Sequence, residues 1–356
     1  MAPEKDIQWY RSPIDKNMMK ELMRQSDAQG FRQVFLQLGL SVLTGTLAYL
    51  VAGQITAQTW MWSVPLFIVC LYVHGTFYAF FGGAGPIHEL SHKTVFKTKA
   101  WNEFFLKLYS FLSYHNWVGF RTSHVKHHQV TIHSDLDGEV VLPFFLKAWH
   151  WITVFTFNPT APWGTFKTLF SHARGIYISD WERKILGTAN DATRAQHRHW
   201  AQFVLIGHAL LATLFIVTGQ WPLLLIVTLA PFYGAWLAHL CVYPQHVGMM
   251  ENSDDFRLCC RTYTCGPLPA FLYWNMQYHV EHHMYPSVPF YNLPKLRKAI
   301  ESDLPPATHG LWATWKEVLA IVELQKKDPS YYHVPPLPPR REVGTSAVTE
   351  EEILAR

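Results

Sequence analysis

Charge is missing from two long parts of this sequence. No Asp, Glu, Lys or Arg lies between Arg32 and Glu89, and none lies between Arg198 and Glu251. A soluble helical protein seldom leaves about fifty residues uncharged, because each helix needs a wet face. Cysteine is also scarce: Cys70, Cys241, Cys259, Cys260 and Cys265 are all there is. None forms a C-x-x-C pair, which argues against a zinc ribbon or a rubredoxin-like electron carrier. The odd number suits a reducing compartment better than a disulfide framework. No glycine-rich phosphate loop and no dinucleotide fingerprint occurs, so no site for ATP, NAD or FAD is visible. No basic run interleaved with aromatics occurs, and a formal charge of +4 is too weak to indicate nucleic acid. The first thirty residues are polar and hold no apolar core, so no signal peptide is expected.

The two charge-free blocks each hold two apolar stretches of membrane length. The expected spans are about 35–52 and 60–81 in the first block, and about 201–218 and 221–243 in the second. The connectors Gly53–Gln58 and Gly219-Gln220 are short and uncharged, so each pair reads as a helical hairpin. Lys and Arg outnumber Asp and Glu between residues 82 and 199, whereas the hairpin turns carry no charge. The positive-inside rule then places both termini and the central segment in the cytosol. Such a chain would lie in a bacterial inner membrane or the endoplasmic reticulum, among membrane lipids. The stretches Phe104–Phe120 and Pro143–Phe157 contain lysines and aromatics and read as interfacial or re-entrant. The expected organisation is a cytosolic arm over 1–30, a membrane domain over 31–305 and a cytosolic tail over 306–356. From about Pro335 the proline-rich tail is expected to be extended or disordered.

Histidine is the abundant residue, with twenty copies. Eight fall in three clusters: His88 and His92 in His-Glu-Leu-Ser-His; His124, His127 and His128 in His-Val-Lys-His-His; and His279, His282 and His283 in His-Val-Glu-His-His. Spacings of three and four residues put side chains on one helical face. All three clusters lie outside the spans and, by the charge argument, on the cytosolic side. Eight imidazole donors are enough for two metal ions and excessive for one. Imidazole suits zinc, copper, iron and nickel. Structural zinc usually closes at four ligands and often uses cysteine, so paired histidine-rich sites point to redox iron and oxygen. The first cluster also matches HExxH, which leaves a membrane zinc protease as a remote alternative. Glu89 fits better as a carboxylate holding an imidazole by its outer nitrogen.

At these clusters the sequence resembles the membrane fatty-acid desaturase superfamily, including its hydroxylases, over roughly residues 35–305. His88-Glu-Leu-Ser-His-Lys-Thr is similar to a first histidine box. Asn275-Met-Gln-Tyr-His-Val-Glu-His-His-Met-Tyr-Pro, followed by Pro289 and Asn292-Leu-Pro, is similar to a third. The resemblance implies an all-α integral membrane protein, with four transmembrane helices in two hairpins and a cytosolic helical cap carrying a di-iron site. It implies one further histidine ligand between the second and third boxes. His246 sits where that ligand is expected, and His239, deeper in the fourth span, is the other candidate. Asn275, four residues before His279, could share its helical face and hold a metal-bound water. Asp135 and Asp137 could orient imidazoles of the second box, and His115 and His133 flank it. His74 and His208 lie within spans, where a hydrogen-bonded imidazole suffices. His150, His172, His197, His199, His309 and His333 are expected at the surface.

The implied cofactor is two iron ions, and the implied reaction is O2-dependent desaturation of a lipid or fatty-acyl chain. Hydroxylation of an alkyl, acyl or carotenoid chain is the alternative. An unactivated methylene resists acids, bases and nucleophiles, so the chemistry belongs to the metal. No haem-binding His-Pro-Gly-Gly segment is present, so the two electrons are expected from a ferredoxin or a cytochrome b5 with its reductase. Lys93, Lys97, Lys99 and Lys126 could meet such an acidic carrier.

Overall fold

The computed structural model describes residues 7–83, 85–143 and 148–341. The short helix α1 (Lys16–Leu22) is capped by the Asp15 carboxylate. The long helix α2 (Asp27–Ala52) is capped by Ser26, whose hydroxyl accepts from the Gln29 N–H. Helix α3 (Trp60–Tyr78) returns beside α2 and runs through a 3-10 turn to α4 (Pro86–Ser91). Then come α5 (Lys99–Leu112), α6 (Trp117–Val130), α7 (Ala148–Phe155), α8 (Thr160–Ala173), α9 (Asp180–Gly187) and α10 (Asp191–Val217).

Among the described residues, three helices are long and apolar enough to cross a membrane: Asp27–Ala52, Trp60–Ser91 and Asp191–Val217. Their outer faces carry large apolar side chains such as Val42, Met61 and Val217, which are 68%, 75% and 74% exposed. The inner face of α2 instead buries Gly30, Gln33, Gln37, Ser41, Thr44 and Gly45. Apolar outside with small and polar inside is the pattern that lipid surroundings favour.

The expected fourth span, 221–243, is not a single helix. It divides into α11 (Trp221–Leu223), a π-helical turn (Leu224–Thr228), a 3-10 turn (Ala230–Phe232) and α12 (Trp236–Val242). Pro231 has no N–H to continue the ladder, and Gly234 takes φ +76°. A Cβ on Gly234 would lie 2.7 Å from the Gly75 carbonyl carbon, and one on Gly75 would lie 2.3 Å from Tyr233 O. The two backbones touch there. Neighbouring side chains satisfy the freed carbonyls. Tyr114 donates to Thr228 O at 2.9 Å, and Tyr233 to Leu225 O at 2.9 Å. His74 Nε2 lies 2.8 Å from Ile226 O, while its Nδ1 lies 2.9 Å from the Thr44 hydroxyl. A broken helix is tolerated at membrane depth only where the protein itself supplies such partners. His208 meets the same expectation of a bonded imidazole, with Nε2 2.9 Å from Phe111 O.

Five shorter helices follow: α13 (Phe256–Cys259), α14 (Pro267–Leu272), α15 (His279–Met284), α16 (Leu293–Ile300) and α17 (Leu311–Lys327). A small parallel pair, β1 (Tyr263–Thr264) and β2 (Thr308–His309), ties them together with Tyr263 opposite Thr308. The polar face of α2 anchors this region. Gln33 donates to Phe271 O at 2.7 Å, and Gln37 accepts from Trp274 at 2.8 Å and Tyr109 at 3.2 Å.

Segments near both ends of the described chain dock on this region. The Tyr10 hydroxyl donates to Asp303 at 2.9 Å, and the buried Arg257 pairs with Asp255 at 2.8 Å and Asp303 at 3.4 Å. Arg340 pairs with Asp254 and reaches Asp255 at 3.3 Å. The tail expected to be extended or disordered is extended and held as far as Arg341; residues 342–356 lie outside the described residues. So do Phe144–Lys147, within the stretch expected to be re-entrant.

Candidate metal centre

Three helices bring the boxes together. Helix α4 starts on Pro86 at its first turn and carries His88, with His92 at its C-cap. Helix α6, capped by Asn116, carries His124, His127 and His128. Helix α15 carries His279, His282 and His283. Its orientation is set by the fully buried Glu281, which accepts from Thr262 at 2.6 Å and from Arg297 at 3.0 Å. His246 ends the 3-10 turn Tyr243–Gln245. Arg261 braces that turn, donating to the carbonyls of Pro244 and Val247.

The imidazoles converge in two groups. His88, His92, His124, His128 and His282 have ligand atoms within 4.8 Å of one another, as do His127, His246 and His283. His279 joins the second group, with Nε2 2.9 Å from His246 Nε2 and 3.1 Å from His283 Nε2. In the first group, His88 Nε2 lies 2.7 Å from His282 Nε2 and 3.1 Å from His124 Nε2. His124 Nε2 is also 3.1 Å from those of His92 and His128.

The outward nitrogens explain the inward ones. His124 Nδ1 donates to Glu139 at 2.8 Å, His127 Nδ1 to Asp137 at 2.7 Å and His246 Nδ1 to Cys259 O at 2.9 Å. His283 Nδ1 lies 3.1 Å from the Thr131 hydroxyl, which itself donates to His127 O and so is free to accept. The Gln245 amide nitrogen lies 3.0 Å from His279 Nδ1. A proton fixed on Nδ1 leaves the Nε2 lone pair facing inward. Several such lone pairs aimed at one point repel one another unless a cation takes them. The donor set therefore fits two transition-metal ions of the imidazole-binding class.

Electrostatics agree with that fit. Burial, with the Arg121 charge, holds His92 down to about 4 against the pull of Glu139. Burial and the neighbouring His127 hold His246 down to about 3. His124, His128, His279, His282 and His283 are lowered well below the ordinary histidine value by burial and by the neighbouring box imidazoles and His246. Neutral imidazole is the metal-binding form. His127 differs: burial lowers its pKa, but the Asp137 bond and the charges of Glu139 and Asp137 outweigh this and raise it.

The residues expected behind the ligands fare unevenly. Asp137 holds His127, as described. Glu89 Oε1 lies 3.2 Å from His282 Nδ1, out of line for a hydrogen bond, and its other oxygen accepts from the Phe290 N–H. That places the carboxylate on the outer side of the imidazole, unlike the general base of an HExxH protease. Asp135 is exposed, and its recorded contact is a backbone carbonyl accepting from Lys184 at 3.0 Å. Asn275 does not share a helical face with His279. It sits in a turn at φ +56° and donates to Phe290 O at 3.2 Å, because α15 begins only at His279. His239 stacks on Tyr243 at 5.3 Å, outside both groups.

Glu139, Thr131, Gln245 and the Cys259 carbonyl went unread. Glu139 alone carried a signal, as a third acidic residue two beyond Asp137. His115 bonds Ser113 and His133 bonds Thr131 O, rather than any box imidazole. His172 and His197, expected at the surface, are buried, with rings 4.4 Å apart and His172 2.9 Å from Glu182. His199 and His309 are exposed and His333 is half-buried; the His150 side chain lies outside the described residues.

The fold and site define a helical protein with long apolar helices and, beside them, two largely buried groups of histidines that could hold metal. Residues 62–315 match the family model described as fatty acid desaturase. The chain belongs to the fatty acid desaturase family. It is 27% identical over 238 residues to a sphingolipid delta(4)-desaturase of Xenopus tropicalis, covering 65% of each chain. It is 27% identical over 220 residues to a sphingolipid delta(4)-desaturase/C4-monooxygenase of Mus musculus, covering 60% of this chain and 59% of that one. It thus spans somewhat under two thirds of the length of these curated relatives.

Proposed function

We propose that this protein is a membrane oxygenase that desaturates a lipid acyl chain. The observation that carries this is the convergence of nine imidazoles in two groups, with the outer nitrogens of His124, His127, His246 and His283 tied down. Two iron ions are assigned to these groups. His88, His92, His124, His128 and His282 hold one, and His127, His246, His279 and His283 hold the other. When bound, the irons supply O2 activation and removal of hydrogen from an unactivated carbon. The balance is a CH2–CH2 unit, O2, two electrons and two protons giving CH=CH and two waters.

The chain's own residues do the rest. Asp137, Glu139 and the Cys259 carbonyl orient the rings, and the buried cage excludes bulk water. The electrons come from a ferredoxin or cytochrome b5 with its reductase. The broken segment 221–243 serves as a fourth pass, giving two hairpins with both termini and the cage cytosolic. The proposed organisation remains an arm over 1–30, a membrane domain over 31–305 and a tail over 306–356.

Hydroxylation is the second reading. It shares the hydrogen-removal step, and one relative is named both desaturase and C4-monooxygenase. Lipid mass spectrometry after expression with a matched reductase separates the two. Loss of two hydrogens supports desaturation, and gain of one oxygen supports hydroxylation. Elemental analysis of the purified protein should find iron; zinc with no iron would sink both readings.

A further inference from the structure

We propose that Trp181, a residue of α9 outside the histidine boxes, positions His124 through Ser123 and Glu139, and so governs how firmly the first histidine group holds its ion without governing the second. This rests on the two-ion reading above and adds a positioning residue to it. The proton directions along the chain are fixed. An indole Nε1–H can only donate, and that of Trp181 lies 2.8 Å from the Ser123 hydroxyl oxygen. Ser123 therefore accepts from Trp181 and donates its own proton to Glu139 Oε2. The other carboxylate oxygen, Oε1, accepts from His124 Nδ1 at 2.8 Å. Each bond in such a chain polarises the next. The chain ends with His124 Nε2 turned toward His88, His92 and His128.

The indole is seated where it can do this. A Cβ on Gly138 would lie 2.7 Å from Trp181 Cδ2, so the backbone between Asp137 and Glu139 lies against the ring. One turn along α9, Lys184 Nζ lies 5.7 Å from the centroid of the same ring and donates to Asp135 O at 3.0 Å. Residues three apart share a helical face, so Trp181 and Lys184 grip the loop together. The helix is itself held, by the Ser179–Glu182 capping box and by the 2.9 Å contact of Glu182 with His172 of α8. The second group stands off this chain. Asp137 Oδ2 serves His127, and Asp137 takes only the backbone N–H of Glu139, through Oδ1 at 2.9 Å. A change in the side chains of Trp181 or Ser123 therefore reaches His124 and spares His127.

The test is release of iron from the full-length, iron-loaded protein in detergent to a coloured iron(II) chelator, followed as two phases. Glu139→Gln, which removes the charge behind His124, marks the phase of the first group, and Asp137→Asn marks that of the second. Trp181→Phe keeps an aromatic ring against Gly138 and deletes the N–H. It should speed the first-group phase about three- to tenfold, the loss expected for one hydrogen bond. The second phase and the melting temperature of the metal-free protein should stay at their wild-type values. Ser123→Ala should act in the same way, and Ser123→Thr, which keeps the hydroxyl, should restore the wild-type rate. The Trp181→Phe and Ser123→Ala effects should not add, because both cut one chain. An unchanged rate in Trp181→Phe, an equal change in both phases, or full additivity of the two substitutions would overturn the proposal. A wild-type protein that takes up no iron would defeat the two-ion reading itself. A wild type that holds two ions, with variants that release them alike, would defeat this inference alone.

Discussion

Asp137 offers the sharpest test of the metal cage. Its Oδ2 accepts from His127 Nδ1 at 2.7 Å and from the Ile132 N–H at 2.8 Å, with both side chains of the ion pair buried. The Asp137→Ala change removes the charge that fixes the His127 tautomer. A hydrogen bond to a charged group contributes about 1.5–3 kcal/mol, and loss of a partner behind a metal ligand lowers affinity roughly 10–100-fold. Both figures agree, because a factor of ten is about 1.4 kcal/mol. Ile132 is a β-branched residue at φ +43°, a conformation the Asp137 carboxylate helps to hold. Asp137→Asn separates the two roles. It keeps an oxygen for the Ile132 N–H but removes the negative charge behind His127. Iron content per chain, measured against a graded chelator, should fall in both variants, with a larger loss of thermal stability in the alanine one. Wild-type chelator resistance in Asp137→Asn would refute the view that the carboxylate charge tunes His127.

Three other changes probe the scaffold. Gly234→Ala puts a Cβ 2.7 Å from the Gly75 backbone at a positive φ, so it should cost more than about 1–3 kcal/mol and sharply cut the yield of monodisperse protein in detergent; normal yield would contradict the contact between the broken span and α3. Arg257→Met removes the buried cation between Asp255 and Asp303, leaving them only the exposed Arg340 and Arg341, and should destabilise by about 3–5 kcal/mol; limited proteolysis should then cut the terminal segments first. Burial alone would raise the pKa of Glu182, but the bonds from His172 and from the Ser179 and Ile178 amides outweigh it and bring it down to about 2. Its ionised form therefore stabilises the fold above the unfolded value of about 4.3, and that contribution fades as pH falls toward about 2. The melting difference between Glu182→Gln and wild type should be constant from neutral pH to about pH 5 and shrink below it; a difference that grows on acidification would reverse the assignment.

The histidine clusters were legible because their information is local. Three or four residues between histidines is a complete instruction for one face of a helix, and α4, α6 and α15 deliver it. The first two spans and α10 were legible for a similar reason: an apolar helix without charge is a property of one segment. The 221–243 stretch was not. Pro231 and Gly234 are visible in the sequence. Whether they end a span or only break it depends on His74, Tyr114 and Gly75, which come from other helices and satisfy or fill what the break opens. Asn275 failed for a related reason. Its four-residue spacing to His279 implies a shared face only if the helix extends that far back, and a left-handed turn at Trp274 and Asn275 prevents it.

The carboxylates behind the imidazoles mark the limit of sequence reading at the site itself. Asp135, Asp137 and Glu139 alternate along one loop, and composition ranks them equally. The turn at Ile132 points Asp137 inward, brings Glu139 to His124, and leaves Asp135 in solvent. The distinction matters because neutral imidazoles do nothing to offset the charge of two buried cations. Here Asp137 and Glu139 stand behind His127 and His124, where their charge would reach the proposed metals through Nδ1–H. A carboxylate in that position strengthens its imidazole as a donor without occupying a coordination position. Under the proposed function, such an arrangement would leave the inner space between the two groups free for dioxygen and substrate. It also explains why the informative acidic residues of this protein lie next to its histidine boxes in space and ten to fifteen residues away in sequence.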